Sequence, residues 1–350
     1  MTSGWKEKLA LRLQREWYEG GPLAQALRPL AGLYRLLLSG RGLLYRCGVL
    51  RVAALPVPVI VVGNWIVGGA GKTPTTLALL SQLHALGLRA GVISRGYGRS
   101  GTEPQLVSAQ TPASEVGDEP LLIYLRAGVP VAVGRDRVAA ARLLLAANPK
   151  LQLLISDDGL QHLRLPRALS VLVFDARGIG NGRLLPAGPL RQAPASQVGP
   201  DHLVLYNADR PSTALPGYLA RRSLSGAVSL ADWWLGVPAT MACLRALAGR
   251  PLLATAGMAQ PQRFFSMLTQ QGLSITEMPL ADHHDFAQLP WPTGTADVLL
   301  TEKDAVKIDP MRGGHTRIWV VALDFEPEQA FQQALRGRLQ QQAGLADLLS

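Results

Sequence analysis

Val57-Pro58-Val59-Ile60-Val61-Val62 leads into Gly63-Asn64-Trp65-Ile66-Val67-Gly68-Gly69-Ala70-Gly71-Lys72-Thr73-Pro74, a branched apolar run that gives way to glycine and then to Lys-Thr-Pro. The β-branched part, bounded by proline and glycine, predicts a buried strand over residues 57–62. Pro74 suits a first helical turn, and Leu77, Leu80, Leu83 and Leu86 continue at helix-compatible spacing until Gly87. Strand, glycine loop and helix in this order form the context that a phosphate-binding loop requires. Gly68, Gly69, Ala70 and Gly71 let backbone N–H groups converge on phosphate oxygens, Lys72 supplies positive charge, and the Thr73 hydroxyl can reach Mg²⁺. Ile66 stands where the usual loop has its first glycine, with the flexibility moved to Gly68 and Gly69. An ordinary glycine-rich turn is the blander alternative.

Outward from this loop, residues 89–94 read as a strand ending in Arg95-Gly96-Tyr97-Gly98-Arg99. A helix over 121–126, a strand over 129–133, a helix over 137–147 and buried strands over 151–155 and 169–174 follow. The alternation predicts an α/β fold, P-loop NTPase-like, with a mainly parallel sheet and ligands at the carboxyl ends of its strands. Residues 181–201, rich in Gly, Pro, Ala and Gln, form a long loop. A second alternation then begins, with strands near 202–206, 251–256, 297–301 and 317–323, a helix over 262–271 and a Gln-rich amphipathic helix over 328–349. A chain of 350 residues suffices for two domains. The boundary is placed near residue 205: a P-loop domain, 1–205, with a helical leader to about residue 50, and a smaller α/β domain, 206–350, closing over the cleft.

Thirty-five Lys and Arg against 25 Asp and Glu give a formal charge of +10. From Gly20 to Thr102 there is no acidic residue, while Arg28, Arg35, Arg41, Arg46, Arg51, Lys72, Arg89, Arg95 and Arg99 fall inside that stretch. Its partners are therefore anions. In residues 23–50 the arginines alternate with leucines rather than with stacking aromatics, which disfavours nucleic acid and suits a helix pair in a membrane interface. Packing of those helices on their own domain is the alternative. The longest apolar run, 53–71, is broken by Pro56, Pro58, Asn64 and glycines and does not read as a transmembrane span. The N-terminus lacks a secretory signal, and the two cysteines, Cys47 and Cys243, give neither a disulfide framework nor a zinc site, so a cytosolic chain is expected.

Nucleotide chemistry needs carboxylates for the metal, and Asp157-Asp158-Gly159 at the end of the 151–155 strand is a Walker-B-like arrangement, although Asp-Gly is also an ordinary turn. Asp118-Glu119, between Gly117 and Pro120, stands at a helix entrance, where capping alone would also explain Asp118. His283 and His284 follow Asp282, and a histidine facing an interdomain cleft could assist proton transfer; as a metal half-site the pair lacks further ligands. His162 fits a structural hydrogen-bonding role.

Gly63-Asn64, Val67 to Pro74, Ser94-Arg95-Gly96-Tyr97-Gly98, Gly117-Asp118-Glu119-Pro120, Asp157-Asp158-Gly159-Leu160-Gln161-His162, Leu185-Pro186-Ala187-Gly188-Pro189-Leu190-Arg191, Asp282-His283 and Thr301-Glu302-Lys303-Asp304-Ala305-Val306-Lys307 occur in that order over nearly the whole chain. Together they resemble the tetraacyldisaccharide 4'-kinase family, the lipid A 4'-kinases. The Val-Gly-Gly-x-Gly-Lys-Thr-Pro form of the loop belongs to that pattern. The resemblance implies transfer of the ATP γ-phosphate to the 4'-hydroxyl of an anionic acylated disaccharide lipid, tetraacyldisaccharide 1-phosphate, giving lipid IVA. It also implies a peripheral enzyme at the cytoplasmic face of a Gram-negative inner membrane, with a monomer favoured. By the same resemblance Asp118 is the base with His283 as its partner, and Glu119, Asp157 and Asp158 hold or orient Mg²⁺ beside Lys72 and Thr73. Arg95, Tyr97 and Arg99 are candidates for the acceptor's phosphate or acyl-sugar region. A GTPase-like switch would need Asn-Lys-x-Asp, which the chain lacks; a P-loop ligase and a nucleotide-regulated membrane protein without enzymatic activity are the other readings.

Overall fold

The computed structural model describes residues 3–342, 345 and 346. Residues 1 and 2 of the expected leader, and 343, 344 and 347–349 of the expected final helix, lie outside the described residues; that helix is Gln329–Gln340. The strands are β1 (Val59–Gly63), β2 (Ala90–Ser94), β3 (Gln105–Leu106), β4 (Val131–Val133), β5 (Leu153–Asp157), β6 (Leu169–Asp175), β7 (His202–Asn207), β8 (Tyr218–Ser229), β9 (Leu252–Ala256), β10 (Ile275–Pro279), β11 (Asp297–Thr301) and β12 (Arg317–Pro327). Among the described residues they form one sheet in the order β10-β9-β11-β12-β8-β7-β6-β1-β5-β2-β4-β3. All pairings are parallel except β3 with β4 and β8 with β12.

β1 lies between β5 and β6, and every one of its residues is buried. That is why its sequence is a continuous apolar run: a parallel strand covered on both faces has no side for a polar residue. Ile60 and Val62 point into one core, Val59 and Val61 into another. The first of these cores extends along the same face of the sheet to Val298, Leu300, Ile318, Val320 and Phe331, so both halves of the chain share it. On the opposite face the halves have separate cores, one around Val61, Leu154 and Leu172, the other around Phe265, Leu268 and Leu299.

The halves meet at β8, which pairs with β7 at Leu205–Tyr218 and Tyr206–Leu219 and then runs antiparallel to β12 from Ala220 to Ser229. The direction of the parallel strands is thereby reversed between the two halves. Sequence periodicity missed β8, β10 and β3. β8 carries Arg221, Arg222 and Ser223 in succession, and β10 is an edge strand with mostly exposed or half-buried residues, so neither shows a clean apolar pattern.

Before the sheet come the helices Ser3–Glu19, Pro22–Ala26 and Arg28–Arg46. Ala31, Tyr34 and Leu38 lay the last of these on the core, and the Tyr34 hydroxyl donates to the Arg191 carbonyl at 3.0 Å. Its other side leaves Leu30, Leu33, Leu36, Leu37, Leu43 and Leu44 exposed. No helix among the described residues is long and apolar enough to cross a membrane.

Candidate active site

The glycine loop leaves β1 and enters the helix Lys72–Ala85 through Gly71, whose φ of 95° is open to glycine and costly for other residues. A Cβ there would also stand 2.4 Å from the Asn207 side chain. Ile66 fills the position of the missing glycine because it is fully buried: residues 184–191 run alongside it, bridging Ile66 to Leu190, with the Val67 amide on the Pro189 carbonyl at 2.9 Å and the Arg191 amide on the Trp65 carbonyl at 2.7 Å. The long loop is thus a wall beside the glycine loop rather than a mere connection. Lys72 Nζ folds back to the Gly68 carbonyl at 3.3 Å and stands 3.9 Å from Asp158.

At the end of β5, Asp157 is buried. Its Oδ1 accepts the Thr76 hydroxyl at 3.0 Å, while Oδ2 has no hydrogen-bond partner among the described residues. Burial, followed by repulsion from Glu119 and, less strongly, Asp158, pushes its carboxyl up to about 7 against the pull of Lys72. Asp158 is held differently: Arg191 donates to its two oxygens at 2.7 and 3.2 Å and also reaches Asn64. Burial raises the Asp158 carboxyl, but Lys72 and Arg191 outweigh it and the net shift is downward. An orphaned oxygen on a carboxylate that neighbouring carboxylates repel is the environment a divalent cation relieves. Among the described residues no three His, Cys, Asp or Glu converge on one metal position. Mg²⁺ usually takes one or two carboxylates and completes its shell with phosphate and water. Asp157, Glu119 and the Thr73 hydroxyl fit that demand, whereas the oxygens of Asp158 are engaged by Arg191.

Asp118 opens the helix Asp118–Ala127 directly after Gly117. Gly117 and Gly96 touch: a Cβ on Gly117 would lie 3.1 Å from the Gly96 Cα, and one on Gly96 would lie 2.7 Å from the Val116 carbonyl. Two glycines from separate motifs thus bring the loop of Arg95, Tyr97 and Arg99 against the start of this helix. Asp118 Oδ2 meets His283 Nδ1 at 3.0 Å and Lys307 Nζ at 3.6 Å, while Oδ1 accepts the Glu119 amide at 3.1 Å. Burial raises the Asp118 carboxyl, yet the His283 hydrogen bond with the charges of Lys303 and Lys307 holds it down at about 2. The same hydrogen bond raises His283. Its ring lies 5.2 Å from that of Tyr97. His284 turns away, its Nδ1 accepting the Phe286 amide at 3.1 Å.

The motif after β11 builds the other side. Asp304 accepts the Thr301 hydroxyl at 2.8 Å and the Gly257 amide at 2.9 Å, and holds Lys307 at 3.2 Å. Lys303 bonds Asp282 at 3.1 Å and stands 4.0 Å from Glu119. Glu302 receives Arg126, from the far end of the Asp118 helix, on both oxygens at 2.6 Å. Sequence reasoning did not assign Lys307 to the site; its spacing three residues after Asp304 was the available signal. His162 is held well below its usual range, at about 4, by burial and then by Arg137; its buried Nε2 finds no hydrogen-bond partner among the described residues, so the hydrogen-bonding role expected of it is not seen.

The profile of the tetraacyldisaccharide-1-P 4'-kinase family matches residues 23–340. A tetraacyldisaccharide 4'-kinase of Methylibium petroleiphilum is 56% identical over 328 residues, covering 92% of either chain. The enzyme of that name from Leptothrix cholodnii is 52% identical over 341 residues, covering 96% of this chain and 98% of its own. Among solved structures, that of LpxK from Aquifex aeolicus in complex with ATP superposes with a TM-score of 0.74 at 28% identity, covering 91% of this chain and 99% of its own. With a loop, a carboxylate pair and a cross-sheet Asp–His contact built from the motifs quoted above, and with relatives matching over nearly its whole length, the chain belongs to the tetraacyldisaccharide-1-P 4'-kinase family.

Proposed function

We propose that this chain transfers the γ-phosphate of ATP to the 4'-hydroxyl of tetraacyldisaccharide 1-phosphate, giving lipid IVA. The observation that carries the proposal is the convergence of the motifs: Lys72 of the glycine loop stands 3.9 Å from Asp158, Thr76 of its helix bonds Asp157 at 3.0 Å, and Asp118 meets His283 at 3.0 Å. The loop from Gly68 to Thr73 binds the ATP phosphates. Lys72 offsets their charge. Thr73, Glu119 and Asp157 would hold Mg²⁺ and Asp158 would orient it, with Asp158 itself fixed by Arg191. The ion would neutralise charge on the transferring phosphoryl group.

Asp118 is the base. Its Oδ2 is taken up by His283 and Lys307, which leaves Oδ1, where the Glu119 amide donates, to accept the hydroxyl proton. A carboxylate near 2 is a weak base. In a loose phosphoryl-transfer transition state that suffices, because the hydroxyl becomes acidic as its bond to phosphorus forms, and its alignment matters more than early deprotonation. Tyr97, exposed beside His283, with Arg95 and Arg99, borders the acceptor side. The exposed leucines of Arg28–Arg46, interleaved with arginines, rest on the cytoplasmic face of the inner membrane. Residues 206–350 act as the domain that closes over the cleft.

The test is transfer of labelled γ-phosphate from ATP to the lipid acceptor in detergent, with wild type and Lys72→Ala compared. Transfer in the first and none in the folded variant is expected. A folded wild type that binds ATP and never phosphorylates the lipid would overturn the assignment of acceptor.

A further inference from the structure

The four consecutive carbonyls of the glycine loop each accept a side-chain donor. Lys72 Nζ reaches Gly68 O at 3.3 Å, Arg177 reaches Gly69 O at 2.7 Å, Asn207 Nδ2 reaches Ala70 O at 3.0 Å, and the Thr75 hydroxyl reaches Gly71 O at 2.8 Å. Lys72 and Thr75 belong to the loop and its helix. Arg177 and Asn207 do not: they come from just beyond β6 and from the last residue of β7, two strands that carry no phosphate-binding motif. The two sources are in register, since Asp175 of β6 pairs with Asn207 of β7.

Arg177 is fixed before it reaches the loop. Its Nε bonds both oxygens of the buried Asp175 at 2.9 and 3.1 Å, and its guanidinium stands 5.8 Å over the Tyr18 ring. Asn207 is itself buried, and the absence of a Cβ on Gly71 is what admits its amide. A trans peptide unit is planar, with its C=O and the following N–H pointing in opposite directions. Fixing the carbonyl of Gly69 therefore fixes the direction of the Ala70 N–H, and fixing that of Ala70 does the same for the Gly71 N–H. Glycine loops have no preference of their own for this arrangement, because their φ/ψ space is wide.

We propose that Arg177 and Asn207 are positioning residues for nucleotide phosphate: they hold the carbonyls of Gly69 and Ala70 away from the site, so that the Ala70 and Gly71 amides are aimed at phosphate oxygens before ATP arrives. This rests on the reading of the loop as the ATP site and adds a cost-of-ordering argument to it: a loop already pinned loses little conformational freedom on binding. Asp175 acts one step further back, as the group that sets the Arg177 fork.

The experiment measures ATP affinity, KM for ATP, KM for the lipid acceptor and the melting temperature without nucleotide, in the full chain. Wild type is compared with Asn207→Ala, Asn207→Asp, which keeps the shape but removes the donor, and Arg177→Lys. Loss of one such bond corresponds to about a tenfold weakening. The expected result is a rise of about tenfold in Kd and KM for ATP in folded Asn207→Ala and Arg177→Lys, and at least as large a rise in Asn207→Asp, with acceptor KM unchanged. Equal ATP affinity in folded Asn207→Ala and wild type would overturn the proposal. So would parallel losses in melting temperature and in both KM values, or failure of all three variants to fold, since these mark a merely structural role. A wild type that does not bind ATP is a different failure, that of the loop assignment itself, and Lys72→Ala run alongside identifies it.

Discussion

At the scale of single residues, the Asp118–His283 contact ties stability to pH. Asp118, lowered from 3.8 to about 2, contributes stability that is present above pH 3.8 and lost as pH falls toward 2. His283, raised above 6.5, contributes stability that is present below pH 6.5 and lost as pH rises through its folded value. The pair is therefore most stabilising between about pH 4 and 6.5. The melting-temperature gap between wild type and His283→Ala should shrink from pH 6 to pH 9, and a gap that widens would contradict the contact. Asp157 behaves in the opposite sense. Its carboxyl, raised to about 7, must lose a proton to receive a cation, so Mg²⁺ in the presence of ATP should bind more tightly at pH 8 than at pH 6, as titration calorimetry in two buffers of different ionisation enthalpy would register. These environments were only half legible in the sequence. Lys72, Thr73 and Asp157 announce themselves by their place after strands, whereas the roles of Asp118 and His283 came from the family resemblance. Of the groups that set the protonation of these acids, Lys303 and Lys307 for Asp118 and Arg191 for Asp158 are distant in the chain from the carboxylates they act on, so no spacing paired them. Arg177 and Asn207 were invisible for the same reason.

At the scale of elements, the order of motifs is explained by where strands end. β1, β2 and β5 are continuous apolar runs, so the alternation of burial and loop was readable, and the strands fall within two residues of their expected limits. What could not be read was how loops touch one another. Gly96 and Gly117 are separated by a helix-like stretch and a short strand, yet their backbones are in contact, and Gly117 adopts φ 94° and ψ 148°, a region that side chains avoid. Gly117→Ala should therefore cost about 1–3 kcal/mol of stability and displace Asp118. The loss of kcat should be large relative to any change in KM for ATP; a variant with full kcat would mean that the contact does not position Asp118 for the proposed transfer. The expected final helix shows the converse case: its Gln-rich amphipathic pattern was legible, and Phe331, Leu335 and Leu339 form its buried side, although the expected run to residue 349 overshoots the helix Gln329–Gln340.

At the scale of the whole molecule, the halves of the sheet share a core on one face and are further joined by the Arg126–Glu302 pair, whose acid is buried and also receives the Trp233 indole at 3.1 Å. Arg126→Met leaves that carboxylate without its cation and should cost about 2–4 kcal/mol. Calorimetry should then show the two halves of the chain melting in separate steps, where the wild type shows one; a single unshifted transition would mean that the shared core alone couples them. The joint at β8 lay beyond the sequence, because a polar strand that changes partners midway has no period to detect. The unpaired leucine face of Arg28–Arg46 has a consequence of another kind. On the proposed membrane seat the chain would meet its acceptor by lateral diffusion, so the quantity governing its rate would be crowding within the plane, not amount per volume. Diluting the acceptor with inert amphiphile at constant bulk concentration should slow turnover, and replacing Leu36 and Leu37 with serine should abolish that sensitivity while sparing ATP binding.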